Sequence, residues 1–214
     1  MKYLKNIKVF QVLILCGALS AISYILHQIV GAMLWPEYNW LSMAVSELST
    51  TTAPNQNVIS FFLFIYGWCY VAFTIFLIII LWGKTHFLAK VGSILLFLSA
   101  IISKVGYGLF PFNGEAAGFT GNNIAHIIVT ALIVIFTIAA GFLLAFGFMK
   151  TPKLKALGRF MLACAIVFTI SGGMAGGMIA NHHPLGGVVQ RINSGTLQLY
   201  VFILSLYFYK HDLE

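Results

Sequence analysis

The sequence predicts an all-α integral membrane protein: a bundle of six transmembrane helices with a short amphipathic helix in its first outer loop. Three observations carry that expectation. Hydrophobic residues make up 60% of the 214 positions and charged residues only 8%, where a soluble domain would carry charge at roughly a quarter of its positions. Apolar runs long enough to cross a bilayer, about 20 residues each, recur until they nearly exhaust the chain, so residues 1–214 are expected to form a single membrane domain. The basic residues, finally, collect in alternate loops.

The first span is expected over residues 9–34, after Lys2, Lys5 and Lys8. Its apolar run is too long for a signal peptide and lacks a small-residue cleavage site, so it is expected to remain as a span. Residues 35–57, WPEYNWLSMAVSELSTTTAPNQN, form the only long polar interval. There Leu41, Val45 and Leu48 recur at helical spacing, with Ser42, Ser46 and Ser49 on the neighbouring face and Glu47 beside them. That pattern predicts the amphipathic helix, begun by the interfacial residues Trp35 and Trp40 and ended at the latest by Pro54. The second span is expected over 58–82, ending at Lys84, His86 and Lys90, and the third over 91–109, leading into FPFNGEAAGFTGNN. The fourth covers 124–149, followed by Lys150, Lys153, Lys155 and Arg159. The fifth covers 160–180 before NHHPLGG, and the sixth 188–209 before Lys210. In the fifth, SGGMAGGM pairs Gly172 with Gly176 and Gly173 with Gly177 at i, i+4, a spacing that predicts close approach of another helix.

Ten of the twelve lysines and arginines lie in the N-terminus, the 84–90 and 150–159 loops and the C-terminus. By the positive-inside rule both termini are cytoplasmic in a cell-membrane, multi-pass protein. Topology thus accounts for the net charge of +7. The expected partner is the lipid bilayer, and nucleic acid is not expected. Glu37, Glu47 and Glu115 then lie on the outer side. Cys16, Cys69 and Cys164 stand singly in apolar runs and form no disulfide framework.

With this topology the unusual polar groups fall in one outer layer. Ser46 and Glu47 belong to the first outer loop, and Lys104 sits near the outer end of the third span. Asn122, Asn123 and His126 open the fourth; Asn181, His182 and His183 close the fifth; Gln190, Arg191 and Asn193 begin the sixth. His27 lies about two turns below the outer end of the first. Ionisable groups inside a bilayer are costly unless paired or wet, so the gathering points to an outward-facing polar pocket. Ser46, Glu47 and His126 are the candidate catalytic residues, with histidine able to act as general base. Lys104, Asn123, Arg191, His182 and His183 are the candidate binding residues, arginine being suited to clamp a phosphate or carboxylate. Bland roles stand beside these: a snorkelling Lys104, a core His27, ordinary loop histidines at 182 and 183. Glu47 and Arg191 are expected to pair across the pocket. No spacing marks a metal site, and nothing names a cofactor.

WPEYNWLSMAVSELS, then GLFPFNGE before the helix bearing His126, then GGVVQR leading into the last span, together resemble a bacterial and archaeal membrane family catalogued as domain of unknown function 998. The resemblance covers nearly the whole chain and implies six spans. Its marked positions fall here on Ser46-Glu47-Leu48, Phe110-Pro111, His126 and Gln190-Arg191. Where that family has an aspartate soon after the proline, this chain offers Asn113 and Glu115. The resemblance implies a fold and a site but no reaction. Two functions remain: an enzyme acting on a lipid or lipid-linked substrate, or a non-enzymatic module that binds, senses or moves a lipid or small anion.

Overall fold

The computed structural model describes residues 9–10, 12–50, 53–114, 118 and 120–211. Among them are six long helices: α1 (Cys16–Met33), α2 (Gln56–Leu81), α3 (Phe87–Leu109), α4 (Gly121–Met149), α5 (Lys155–Ala180) and α6 (Gly186–Lys210). No strand occurs among the described residues. The expected spans recur with their ends moved by a few residues. Five helices are long and apolar enough to cross a membrane. The sixth, α6, has the length at 25 residues, but Gln190, Arg191, Asn193, Ser194 and Gln198 make it more polar than the rest.

Each helix packs on the next, and α6 returns to α1, closing a ring. Because successive helices alternate in direction, the ring has two ends. One carries Lys84, Lys90, Lys150, Lys153 and Lys210 and is called the basic end; the other carries the 35–50 segment and is called the plug end. The basic end is a dry core in which Phe73, Leu77 and Leu81 of α2, Leu144 and Phe148 of α4, Met161 of α5 and Phe208 of α6 are fully buried. Glycine lets the backbones meet there: a Cβ on Gly147 would lie 2.2 Å from the backbone nitrogen of Ala89. The expected glycine contact in α5 is only partly realised. A Cβ on Gly172 would meet Asn193 of α6, whereas Gly173, Gly176 and Gly177 face open space.

The first helix differs most from expectation, because α1 begins at Cys16 after a turn at residues 14–15. The Ser205 hydroxyl of α6 accepts from the Ala18 nitrogen at 3.0 Å and donates to the Ile14 carbonyl at 2.8 Å. Those two backbone groups would bond each other in an uninterrupted helix. A side chain has entered the ladder and kept both satisfied, which matters where no water can reach them.

Candidate functional site

The polar stretch after α1 folds as successive turns closed by a five-residue 3₁₀ turn, Val45–Ser49, in place of the expected amphipathic helix. The reason is tertiary. Asn39 turns its Oδ1 back to the Leu41 nitrogen at 3.1 Å, a local bond that competes with helix. Carbonyls a helix would need are also taken. Tyr38 donates to the Ala44 carbonyl at 2.8 Å, and the Val188 nitrogen of α6 donates to that of Leu41 at 3.1 Å. The segment is held as a plug on the ring. Leu48 packs beside Gly31 of α1 and Ile59 of α2, and the Val45 nitrogen donates to Gln190 Oε1 at 2.6 Å.

Arg191 is the main clasp. Its Nη1 donates to the carbonyls of Trp40 (2.8 Å), Met43 (3.3 Å) and Gly187 (2.9 Å), and Nη2 donates to the Tyr38 hydroxyl. The guanidinium also lies over the Tyr38 ring, 5.5 Å from its centroid. Burial raises the Tyr38 phenol above its ordinary pKa, and the neighbouring guanidinium pulls it back. No ion pair joins Arg191 to Glu47 among the described residues, and the Arg191 donors go to the plug backbone and the Tyr38 hydroxyl. Glu47, only 8% exposed, lies instead against Gly114, where a Cβ would come within 3.6 Å of its carboxylate oxygen. Gly114 has φ +88°, a conformation few other residues adopt, so glycine there serves both the turn and the close approach.

Asn123 holds that loop. Its Oδ1 accepts from the Asn113 nitrogen at 2.9 Å, and its Nδ2 donates to the carbonyls of Gly114 and Gly118 at 3.1 and 2.8 Å. Three bonds to backbone make it an organiser of the loop. His126, one turn on, bonds the Phe110 carbonyl through Nδ1 at 2.9 Å. A carbonyl only accepts, so Nδ1 carries the proton, and in the neutral imidazole Nε2 keeps its lone pair. The ring lies between Tyr107, stacked at 4.7 Å, and Phe112 at 5.3 Å. Segment 110–114 thus touches both His126 and Glu47. Ser46 lies in the 3₁₀ turn, its carbonyl accepting from the Ser49 hydroxyl; Glu115 lies outside the described residues.

Beneath the plug the interior is aromatic and polar. His27, 2% exposed, donates Nδ1–H to the Tyr24 carbonyl at 2.7 Å and packs against the Tyr24 ring at 4.9 Å. Tyr24 meets Tyr66 of α2 at 4.7 Å. The Tyr24 hydroxyl faces Ser194, that of Tyr66 faces Gln198, and Arg191 is near enough to act electrostatically on Tyr24 and His27. Four buried side-chain atoms have no partner among the described residues: Nε2 of Gln28 and Oε1 of Gln198 complete this layer, and the other two are the hydroxyls of Tyr70 and Tyr200.

Of the expected site residues, Arg191 borders this layer; His126 approaches it through Tyr107. Lys104 turns away, its chain crossing Gly67 and its Nζ lying over Phe64 and Trp68 at 5.3 and 5.4 Å, two rings exposed on the bundle's outside. His182 and His183 form the exposed α5–α6 turn, where His183 Nδ1 accepts from the Leu185 nitrogen. Sequence reasoning passed over Tyr24, Tyr38, Tyr66 and Gln198. Helical spacing held a signal for some of them, since Tyr24, His27 and Gln28 fall at i, i+3, i+4 and Arg191, Ser194 and Gln198 at i, i+3, i+7. Among the described residues no three His, Cys, Asp or Glu side chains gather as metal ligands.

A closed helical ring whose five most apolar members can each cross a bilayer defines a multi-pass membrane protein. The chain belongs to the family described as Protein of unknown function (DUF998), which it matches over residues 15–207. No curated protein and no solved structure matches it.

Proposed function

We propose that the protein binds an amphiphilic ligand, a lipid or lipid-linked molecule with an anionic or hydrogen-bonding head, in the polar layer beneath the plug. The observation that carries this reading is the pair of orphan amide atoms on Gln28 and Gln198. An unsatisfied polar group in a bilayer interior is expensive because water cannot serve it. A head group offering a donor and an acceptor removes that cost, and Arg191 gives the layer its preference for anions. In the same reading all six helices cross the cell membrane, the basic end is cytoplasmic and the plug end faces outward. Cysteines placed at positions 46 and 153 test the orientation: an impermeant thiol reagent added outside labels the first and spares the second, and the reverse pattern overturns it.

Binding is tested by thermal unfolding of the purified protein with dihexanoyl phosphatidic acid and dihexanoyl phosphatidylcholine. The anionic lipid raises the unfolding temperature more. Gln28→Leu, which removes a buried atom without a partner, stabilises the unliganded protein by about 1 kcal/mol and loses the response. A full response in Gln28→Leu rejects this site.

A second reading, hydrolysis of a lipid substrate, is favoured by the 110–114 segment that touches both His126 and Glu47. There His126 Nε2 is the base, with Glu47 against Gly114 at the far end of that segment and Ser46 next to it in the 3₁₀ turn. Turnover of a labelled lipid mixture distinguishes the two: product formation that disappears in His126→Ala with folding intact supports catalysis, and protection without product supports binding alone.

A further inference from the structure

We propose that the groove between α1 and α6 seats one hydrocarbon tail of the amphiphile, an acyl or isoprenoid chain, and this rests on the binding reading above. The groove has a volume of about 320 Å³ and lies between Ile22, Ile25 and Leu26 of α1 and Gly195, Leu199 and Phe202 of α6, with Gln198 also lining it. That size falls in the range of small-molecule sites, about 300–1,000 Å³. Its depth identifies the occupant. At 1.5 Å of rise per residue, Gly195 lies about 13 Å along α6 from its plug-end start and Leu26 about 10 Å from the end of α1. Both depths are in the hydrocarbon half of a leaflet, where lipid tails are the solvent.

The groove also points somewhere. Arg191, Gly195, Gln198 and Phe202 recur at i, i+4, i+7 and i+11 and share one face of α6. A tail lying along that stripe therefore brings its head toward Arg191, which is drawn to the plug at the same end. Opposite it on α1, Gln28 holds its orphan Nε2 one turn beyond Tyr24. The cleft exists because position 195 lacks a side chain: a Cβ there would meet nothing within 4 Å. Since tails are as apolar as leucine, the groove gains little from hydrophobic transfer out of the bilayer. Its contribution is shape, read as a preference for long chains over short ones.

Gly195→Leu projects a side chain into the cleft from a position where a Cβ meets nothing within 4 Å, and Gly195→Ala leaves it largely open. Both remove a helical glycine and raise helix propensity alike, so a folding defect does not mask the result. Wild type and both variants are heated with dihexanoyl or dipalmitoyl phosphatidic acid, and native mass spectrometry records lipid retained after release from micelles. Wild type and Gly195→Ala gain a larger thermal shift from the long-chain lipid and retain it. Gly195→Leu keeps the response to the short-chain lipid, loses the extra long-chain shift and emerges lipid-free. An undiminished long-chain increment in Gly195→Leu overturns the groove assignment alone. Absence of any response to either lipid in wild type, with no retained lipid, overturns the binding reading together with it.

Discussion

At the basic end Phe148 of α4 meets Phe208 of α6 with ring centroids 6.0 Å apart, both side chains fully buried. At the plug end the equivalent layer holds Tyr24, His27, Gln28 and Tyr66, wedged under a loop that Arg191 and Gln190 tie down. The first arrangement is nondirectional: any well-shaped apolar filling serves between these two rings. The second is specified bond by bond, and two of its amide atoms have none. Atoms without a partner among the described residues also occur in the apolar core, on the hydroxyls of Tyr70 and Tyr200, so what separates the two ends is directionality: one is filled by shape, the other by specified bonds.

Removing a ring from the basic end tests that division most severely. Phe148→Ala should cost about 3–5 kcal/mol in chemical unfolding in mixed micelles and lower stability throughout the ring; a loss below about 1 kcal/mol would make the dry core expendable. Asn123→Ala, which severs three loop bonds, should cost about 1–3 kcal/mol and act locally. Hydrogen exchange should quicken at 110–114 while basic-end amides stay protected, and uniform acceleration would show the two ends unfolding as one. Gln190→Leu leaves the Val45 nitrogen without its 2.6 Å acceptor and should loosen the plug at about 1 kcal/mol. The readout is faster thiol labelling of a cysteine at position 46, and an unchanged rate would mean that Arg191 suffices alone. The smallest effect is expected from the buried Ser99–Thr137 pair, 2.8 Å apart between α3 and α4. Replacing both at once by alanine and valine removes the donor and the acceptor of that bond together and should be neutral within about 0.5 kcal/mol.

The spans were legible because a bilayer demands long apolar runs of known length, and the lysines flanking them punctuate the chain. Even α6 could be placed, its end set by Lys210 and its start by the glycine pair at 186–187. The plug was misread because its helical spacing of Leu41, Val45 and Leu48 is real, yet the carbonyls that would sustain a helix are claimed by Tyr38, Arg191 and the Val188 nitrogen. The expected Glu47–Arg191 pair is absent among the described residues for a related reason, since opposite charges in one layer say nothing about backbone acceptors nearer to hand. The tyrosines were missed because hydropathy counts them as filler. Gly195 carries no local signal at all: that nothing occupies the space beside it depends on α1, more than a hundred residues earlier.

Ser205 also sets an order of events during synthesis. The broken turn at Ile14 and Ala18 is among the first described structure to leave the ribosome, yet the hydroxyl that bridges it comes 187 residues after Ala18. At about 5–20 residues per second the gap lasts roughly ten to forty seconds, during which the Ala18 nitrogen lacks this acceptor, while the Ile14 carbonyl keeps the Gly17 nitrogen at 3.0 Å. Water in an insertion channel can serve that single donor until α6 arrives. Ring closure is thus the moment at which the first helix becomes fully at home in lipid.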